Sequence, residues 1–376
     1  MSDENKIFRL DILRTKIDAV DERIIALLGE RAALSVKVGE AKKEFSLPVF
    51  RPERESALLE RITEFNARSL PKHTPSGVEI TPLPKEHLIS IYKEILSSSR
   101  ALQEDLSIAY LGPEGTFSHI AALDYLGESL NYISRVNLTE VFEAVEREIC
   151  HYGVVPFENS AYGTVIQSLD MFLRHNVHIH AEWENRITLS LMSKEAELYD
   201  IKAVYSHRQP LGQAAKWLTE NTPGAKQISL ESTSQAAVKA LNEAGAAVVG
   251  HYSLASRYNL NVLARDIEDV ADNRTRFFLV SAKPPIDMGA DKSSLVFAVS
   301  NKPGGLKGVI EIFYEKGVNI SKLESRPMQG GAWNYIFFMD VECCILDKEF
   351  TGILKLLSDY CLMLRVLGVY RSYKKE

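Results

Sequence analysis

One short stretch combines a hydroxyl group and guanidinium groups at a place suited to binding a small acid. The polar residues Asn273, Arg274, Thr275 and Arg276 run directly into the apolar segment 277–280. Such an apolar run is typical of a buried β-strand, and α/β sheets hold ligands at strand ends. We therefore predict that Thr275 lies at the rim of a binding cleft. The alternative is that it only caps backbone, as most loop threonines do.

A second set of polar residues lies on an N-terminal helical stripe. Residues 3–44 contain no proline and repeat apolar residues in heptads, which predicts a helix about 60 Å long. Because such a helix is longer than a compact domain of ~100 residues, we expect it to pack against a second chain. Arg31 and Lys42 share one side of it and could converge on one anion. Arg14, roughly 25 Å along the helix from Arg31, can reach that site only from the partner chain.

Further helices are expected at 53–65 and 86–103, and one alternative for the region is a coiled-coil dimerisation arm with a single buried charge. The sequence nevertheless resembles the all-helical chorismate mutase family. The matching stretches are Leu-Arg-x-x-Ile-Asp, Leu-Leu-x-Glu-Arg, Val-Gly-x-Ala-Lys, Pro-Glu-Arg-Glu and Ser-x-x-x-Gln. The site residues that this resemblance implies are Arg14, Arg31, Lys42, Arg54, Glu55, Ser99 and Gln103.

The resemblance implies rearrangement of chorismate to prephenate, which needs no metal or cofactor. Lys42 and Gln103 would donate to the breaking ether oxygen. Arg31 and Arg14 of the partner subunit would hold the carboxylates, assisted by Ser99. Glu55 would accept from the substrate hydroxyl, and Arg54 would support the cluster. Arg51 replaces an acidic residue of relatives, which leaves hydroxyl recognition to Glu55.

After residue 103, short β-type runs alternate with helical segments, as in α/β folds. The loop Gly112-Pro-Glu-Gly-Thr-Phe-Ser-His lets backbone N–H groups approach an anion, with Ser118 expected as a helix cap. Asn159, Ser206 and the stretch 231–234 also follow expected strands, and each alone is explained as a turn former or a cap. Together with Thr275 they resemble prephenate dehydratase over residues 106–283.

That resemblance implies two α/β lobes of the periplasmic-binding-protein kind with prephenate between them, converted to phenylpyruvate. Thr275 would donate a proton or orient the donor. Substrate binding is assigned to Asn159, Ser206, His207, Gln213 and Arg276. His178, His180 and Glu182 alternate on one strand, but we expect no metal there because further ligands with suitable spacing are missing. The alternative is a binding lobe without catalysis.

The last eighty residues read as βαββαβ, the ferredoxin-like order. Strands are expected at 294–300, 318–325, 334–341 and 362–370, with helices at 305–316 and 348–360.

The turn Asn301-Lys-Pro-Gly-Gly-Leu and the strand end Leu-Glu-Ser-Arg-Pro resemble the ACT domain. The implied ligand is L-phenylalanine, an inhibitor bound between paired domains, and Lys307 replaces a valine at the pocket edge. The implied residues are Asn301, Gly304, Gly305, Leu306, Glu324, Ser325 and Arg326, and the alternative is an inert packing domain.

The domain order resembles the bifunctional chorismate mutase–prephenate dehydratase family. We expect a multidomain chain: an all-α mutase domain at 1–104, a two-lobed α/β dehydratase domain at 105–284 and an α+β ACT domain at 292–376. A homodimer or higher oligomer is expected. The net charge of −6 and the lack of a long apolar run argue against nucleic-acid and membrane partners, and four unpatterned cysteines indicate the cytoplasm. The alternative is a monofunctional dehydratase whose N-terminal arm only dimerises.

Overall fold

The computed structural model describes residues 3–74, 77–285, 289–327 and 335–373, with side chains from Leu10 onward apart from Thr351. The chain forms two compact units. One comprises the chain up to Leu106 together with Gly127–Leu130, and the other comprises Ser107–Leu126 and the chain from Asn131 onward. Among the described residues, no helix is long and apolar enough to cross a membrane.

The first unit is helical, with α1 (Asp3–Glu44), α2 (Pro52–Glu64) and α3 (Lys85–Gln103). Pro52 occupies the first turn of α2, where its missing N–H costs no hydrogen bond. Gly39 permits close contact of α1 with α3, because a Cβ there would lie 3.0 Å from Gln103. The heptad residues of α1 stay exposed within this chain, including Leu13, Ile17, Ile24, Leu27 and Leu34.

The first part of the second unit is a lobe in which helices flank a sheet. The first strands of this sheet are parallel. Asn137 caps the helix at Leu138–Glu146 by accepting a hydrogen bond from Glu140 N at 2.9 Å. The elements are β1 (Ser107–Leu111), α4 (Phe117–Leu126), β2 (Asn131–Arg135), α5 (Leu138–Glu146), β3 (Tyr152–Asn159), β4 (Gly163–Thr164), α6 (Ile166–Arg174) and β5 (His178–Arg186).

The chain then crosses to a second lobe. Ser232 caps the helix at Thr233–Asn242 by accepting a hydrogen bond from Gln235 N. Its elements are β6 (Ser190–Ser193), β7 (Ala203–His207), α7 (Arg208–Gln213), α8 (Ala215–Asn221), β8 (Lys226–Leu230), α9 (Thr233–Asn242), β9 (Ala246–Gly250), α10 (Ser253–Tyr258) and β10 (Asn261–Ala264). The strand order is β10-β6-β9-β7-β8.

The chain returns to the first lobe as β11 (Arg274–Ser281), which lies antiparallel between β3 and β5. The first sheet therefore has the order β2-β1-β3-β11-β5. Since the chain passes between the lobes twice, the two sheets form a two-lobed α/β unit, as predicted. One local expectation was wrong. Helix α4 already begins at Phe117, and Thr116 Oγ1 rather than Ser118 accepts from the first turn, at His119 N.

The C-terminal domain is a βαββαβ unit with an antiparallel sheet of order β13-β14-β12-β15, which agrees with the ferredoxin-like prediction. Its elements are β12 (Lys292–Val299), α11 (Gly305–Glu315), β13 (Ile320–Pro327), β14 (Tyr335–Val341), α12 (Thr351–Tyr360) and β15 (Cys361–Tyr370). Asn334, the expected start of β14, lies outside the described residues. Helix α12 begins three residues later than expected.

This C-terminal sheet packs directly on one face of the first lobe. Phe157 of β3 contacts Phe338 of β14 with ring centroids 4.6 Å apart, and Phe278 of β11 lies 6.0 Å from Tyr370. Arg365 of β15 donates hydrogen bonds to three carbonyl oxygens at and beyond the end of α6, those of Phe172, His175 and Val177. The first lobe and the C-terminal domain thus share one buried core.

Candidate active and regulatory sites

In the helical unit, four of the predicted mutase residues lie together between α1 and α3. Arg31 donates to the hydroxyl of Ser99 and, at 3.4 Å, to the carbonyl of Ile95. Lys42 Nζ lies 3.1 Å from Gln103 Oε1, and Gln103 Nε2 donates to the carbonyl of Ser99 at 2.9 Å. The spacing of four residues from Ser99 to Gln103 places both on one face of α3. The result is a cationic group with oriented donors.

The cation at Lys42 is partly withdrawn from water. Burial lowers the pKa of Lys42, and the neighbouring Glu55 carboxylate opposes that shift. The ammonium also donates to the carbonyl of Val49 at 2.6 Å, which fixes its direction. A desolvated ammonium interacts more strongly with developing negative charge than one in water does.

Glu55 is held by a residue that the sequence did not single out. Its carboxylate forms an ion pair with Arg100, which is buried in α3 and lies over the Phe50 ring at 5.1 Å. Arg54 is exposed on α2 beside Glu55. Arg51 forms an ion pair with Glu53 at 2.7 Å. The structure therefore brings Glu55 to the α3 face and leaves Arg54 at the surface.

Arg14 does not join this group within the chain. It lies on the same helix as Arg31, roughly 25 Å away by the rise of 1.5 Å per residue. Its side chain is exposed and pairs with Asp11 at 3.3 Å. It lies among the exposed heptad residues of α1, the surface expected to meet a second chain.

In the first lobe, Thr275 and Asn159 are register partners on β11 and β3, and both side chains are buried. Asn159 Oδ1 accepts from the backbone N–H groups of Ala161 and Tyr162, each at 3.0 Å. These bonds orient the amide so that Nδ2 donates to Thr275 Oγ1 at 2.9 Å and to Asn273 Oδ1 at 2.8 Å. The Thr275 oxygen is thereby used as an acceptor, and no described residue accepts its proton, which can be donated to a ligand.

The second-lobe candidates lie at the end of β7 and on α7. Ser206 is fully buried and donates to the carbonyl of Val249 at 2.6 Å, so it is not a helix cap. His207 caps α7 instead, with Nδ1 accepting from Gln209 N. Gln213 is 4% exposed, and within the described part of the chain neither its Oε1 nor its Nε2 has a hydrogen-bond partner. A buried, unpaired amide is costly unless a ligand completes it.

The carboxyl ends of the two parallel strand sets face each other across an interlobe cleft. Ser234 of the second lobe donates to the carbonyl of Glu114 at 2.6 Å, and Arg257 forms an ion pair with the Glu114 carboxylate. A cavity of about 960 Å³ lies here between the ends of β2 and β8, the edge strands of their sheets. Its lining includes Pro113 and Ser232 but not Thr275 or Gln213. It is therefore the outer end of the cleft, whereas Thr275 lies by the inner strands.

Arg276 is not brought to the Thr275 group. Successive side chains of a strand point to opposite faces, and Arg276 points toward the C-terminal domain. Its Nε donates to Glu182 Oε2 at 2.7 Å, its Nη1 pairs with Asp340 at 2.7 Å, and its Nη2 donates to Tyr370. All three nitrogens are engaged in these contacts. The predicted substrate contact of Arg276 therefore finds no support in this geometry.

The predicted regulatory residues divide between a loop and a strand. Gly304 has φ of +90°, a conformation that favours glycine, and a Cβ at Gly305 would lie 2.7 Å from the Ser300 carbonyl oxygen. Asn301 is exposed in the same loop, and Leu306 packs against the domain core. On β13, Ser325 is exposed, whereas its neighbours Glu324 and Arg326 point the other way.

Those two neighbours contact the first lobe. Glu324 accepts from Thr164 Oγ1 at 2.9 Å, and Arg326 pairs with Asp170 at 3.2 Å. Residues missed by sequence reasoning include Arg100, which holds Glu55, and Asn273, which is 1% exposed and bonded to Asn159. The sequence signal for Arg100 was its place next to Ser99 on α3. Asn273 lies in the polar loop before β11, but the motif alone gives it no role.

Fold and sites together define a multidomain enzyme that joins a helical unit with a cationic cluster, a two-lobed α/β unit and a ferredoxin-like domain. Three family models match successive segments: chorismate mutase type II at 13–104, prephenate dehydratase at 108–285 and the ACT domain at 293–355. The bifunctional chorismate mutase/prephenate dehydratase of Aquifex aeolicus (strain VF5) is 40% identical over 358 residues, covering 95% of this chain and 96% of that protein. The chain belongs to the bifunctional chorismate mutase/prephenate dehydratase family.

Two further comparisons agree. The protein of the same name from Stutzerimonas stutzeri is 36% identical over 368 residues, covering 96% of this chain and 97% of that protein. Among solved structures, the prephenate dehydratase of Arthrobacter aurescens in complex with L-Phe matches with a TM-score of 0.65 at 32% sequence identity. That match covers 71% of this chain and 90% of the other. The predicted three-part fold and family membership are confirmed.

Proposed function

We propose that this chain catalyses two successive reactions, the rearrangement of chorismate to prephenate and the conversion of prephenate to phenylpyruvate, and that L-phenylalanine inhibits the second. The mutase is assigned to residues 1–104, the dehydratase to 105–284 and regulation to 292–376. The observation on which this rests is the convergence of each predicted residue set. Lys42, Gln103, Ser99 and Arg31 meet in one unit, and Thr275 and Asn159 meet in the other.

In the mutase reaction one carbon–oxygen bond breaks while one carbon–carbon bond forms, and no proton moves. The protein needs to hold the substrate in a chair-like shape and stabilise charge on the ether oxygen. Lys42 and Gln103 are assigned to that oxygen, because both carry hydrogen-bond donors and they lie within hydrogen-bond distance of one another between α1 and α3. Arg31 with Ser99 is assigned to a carboxylate. Glu55, oriented by Arg100, would accept a hydrogen bond from the substrate hydroxyl.

In the dehydratase reaction the carboxylate leaves as carbon dioxide, its bonding electrons enter the ring, and the ring hydroxyl leaves and is protonated to water. Thr275 is assigned as donor to that departing oxygen. The hydrogen bond from Asn159 polarises the Thr275 hydroxyl, although a threonine of ordinary acidity acts mainly by hydrogen bonding. The unpaired Gln213 amide, with Ser206 and His207 nearby in sequence, is assigned to substrate binding from the second lobe.

We further propose that the working form is at least a dimer, in which Arg14 of the partner subunit completes each mutase site. The exposed heptad face of α1 supports this proposal, because a second copy of the chain would bury it. Hybrid dimers test this. Arg14→Ala and Lys42→Met chains should each be inactive as mutases, whereas their mixture should recover about a quarter of wild-type activity, from one intact site in half of the dimers. A mixture as inactive as its components would contradict the shared site.

Inhibition by L-phenylalanine is supported by the ACT domain and by the Arthrobacter aurescens dehydratase structure in complex with L-Phe. Asn301, Gly304, Gly305, Leu306 and Ser325 are assigned to the ligand side of the domain, whereas Glu324 and Arg326, whose side chains contact the first lobe, are not. A cytoplasmic location is also proposed, because all four cysteines are free thiols.

Purified protein tests the proposal when chorismate loss and phenylpyruvate formation from added prephenate are measured separately, each with and without L-phenylalanine. Both activities are expected, with the second suppressed. Dehydration without any chorismate turnover would instead make the helical unit a dimerisation arm. Binding of prephenate without turnover would make the middle of the chain a binding lobe.

A further inference from the structure

The strand pair that holds Thr275 and Asn159 presents a second pair of residues on its opposite face. In the register of β11 with β3, Thr275 lies opposite Asn159, and the next pair is Arg276 opposite Glu158. Because side chains alternate along a strand, Arg276 and Glu158 point away from the catalytic pair. They point toward the C-terminal sheet, which covers this face of the first lobe.

Arg276 is held jointly by Glu182 of β5, on its own lobe, and by the C-terminal domain. Asp340 of β14 is fully buried and lies 2.7 Å from Arg276 Nη1, and Ser294 donates to the other Asp340 oxygen at 2.5 Å. Tyr370 accepts from Arg276 Nη2 at 3.2 Å. Burial acts to lower the pKa of Arg276, but Asp340, Tyr370 and Glu182 outweigh it and the pKa is raised. The guanidinium is therefore a permanent charge that joins the first lobe to the C-terminal domain.

Glu158 is held by the same domain through a different strand. Lys322 of β13 lies 2.7 Å from Glu158 Oε1 and donates to Thr164 Oγ1 at 2.9 Å. Glu158 Oε2 also lies 3.8 Å from Arg276 Nη1, which joins the two contacts into one network. Lys322 is on the β13 face that carries Glu324 and Arg326, whereas Leu323 and Ser325 lie on the exposed face.

We propose that Glu158 and Arg276 are positioning residues through which β13 and β14 of the regulatory domain set the geometry of Asn159 and Thr275. Each is the covalent neighbour of one member of the catalytic pair, and each is fixed by a charged residue of the C-terminal domain. A displacement of β13 on ligand binding at its exposed face would move Lys322 and hence Glu158. The proposal rests on the function proposed above and deepens its regulation.

The competing explanation is that the contacts of Glu158 and Arg276 only hold the two domains together. Buried ion pairs add little net stability, because desolvation offsets most of their attraction, and their best-attested use is to fix one arrangement of packed elements. Apolar contacts such as Phe157 with Phe338 already join the domains. Polar contacts also join the two domains farther from the site, as between Arg326 and Asp170. The contacts of Glu158 and Arg276 differ in lying directly beside the catalytic pair, which fits a positioning role.

The test uses the full-length protein with Glu158→Gln, Lys322→Met, the double variant and the conservative Lys322→Arg. The control is Lys283→Gln, which removes an exposed ion pair with Glu148 elsewhere on the same lobe. For each, kcat and KM for prephenate, the half-inhibitory L-phenylalanine concentration and L-phenylalanine binding by calorimetry are measured. Mutase turnover reports that the helical unit is folded, and L-phenylalanine binding together with urea unfolding reports the same for the unit that carries the changes.

Glu158→Gln and Lys322→Met are each expected to lower kcat with KM little changed, and to raise the half-inhibitory concentration about tenfold, a typical loss of coupling between sites. L-phenylalanine should still bind, and the double variant should be no worse than either single variant. Lys322→Arg should restore inhibition. The control should behave as wild type.

Two outcomes would overturn the proposal. Wild-type kcat and inhibition in both single variants would show that the network does not position the pair. Inhibition lost together with L-phenylalanine binding in Glu158→Gln would make Glu158 part of the ligand site rather than a connection. Failure of the proposed function can be distinguished from failure of this proposal. In the first case the wild-type protein itself would not dehydrate prephenate or would not be inhibited by L-phenylalanine.

Discussion

Replacing Thr275 by valine removes the hydroxyl while keeping the shape of the side chain. Loss of one preorganised donor to a developing charge typically costs roughly 100- to 1000-fold in kcat, and we expect that loss for prephenate dehydration. The folding cost should be small. Asn159 Nδ2 keeps Asn273 Oδ1 at 2.8 Å and the Arg274 carbonyl at 3.1 Å as acceptors, so the variant should lose only about 1 kcal/mol of unfolding free energy.

The assay follows phenylpyruvate formation from saturating prephenate, with urea unfolding measured on the same preparations. Thr275→Ser is the matched control, since it keeps the hydroxyl and should recover most of the activity. Chorismate turnover should be unchanged in both variants. A folded Thr275→Val protein that retains a third or more of the wild-type kcat would refute the assignment of the donor.

Three further outcomes are expected. Lys42→Met should lower chorismate turnover at least ~100-fold while added prephenate is still converted; equal loss of both activities in a folded protein would refute separate sites. Burial lowers the Lys42 pKa from 10.5, so the ammonium loses its proton at a lower pH than a free lysine does. As the pH is raised, the mutase rate should therefore begin to fall before pH 10.5 is reached, and a rate that stays constant up to that pH would contradict this. Gln213→Leu should raise the prephenate KM about tenfold without loss of unfolding free energy; destabilisation with unchanged KM would make the amide structural.

Much of the fold followed from local patterns. The proline-free heptads of α1, Pro52 at the start of α2 and the apolar run after Thr275 each determine an element through nearby residues. The mutase set was also accessible, because fixed helical spacing brings Ser99 and Gln103 to one face. These features depend on contacts within a few turns or on one helix pair.

The position of Arg276 could not be assigned from its motif. Its partners Glu182, Asp340 and Tyr370 lie between 64 and 94 residues away in sequence, and their approach depends on how the C-terminal sheet packs on the first lobe. Strand alternation alone would have separated Arg276 from Thr275. Pairing of Arg100 with Glu55 likewise depends on packing between α2 and α3. Long-range burial, rather than local propensity, determines these roles.

The most direct test of the central claim supplies purified protein with chorismate alone and follows all three compounds over time by NMR. Prephenate should appear first and phenylpyruvate after it, and added L-phenylalanine should halt the sequence at prephenate. Accumulation of prephenate without phenylpyruvate in the absence of L-phenylalanine, or no loss of chorismate at all, would contradict the account.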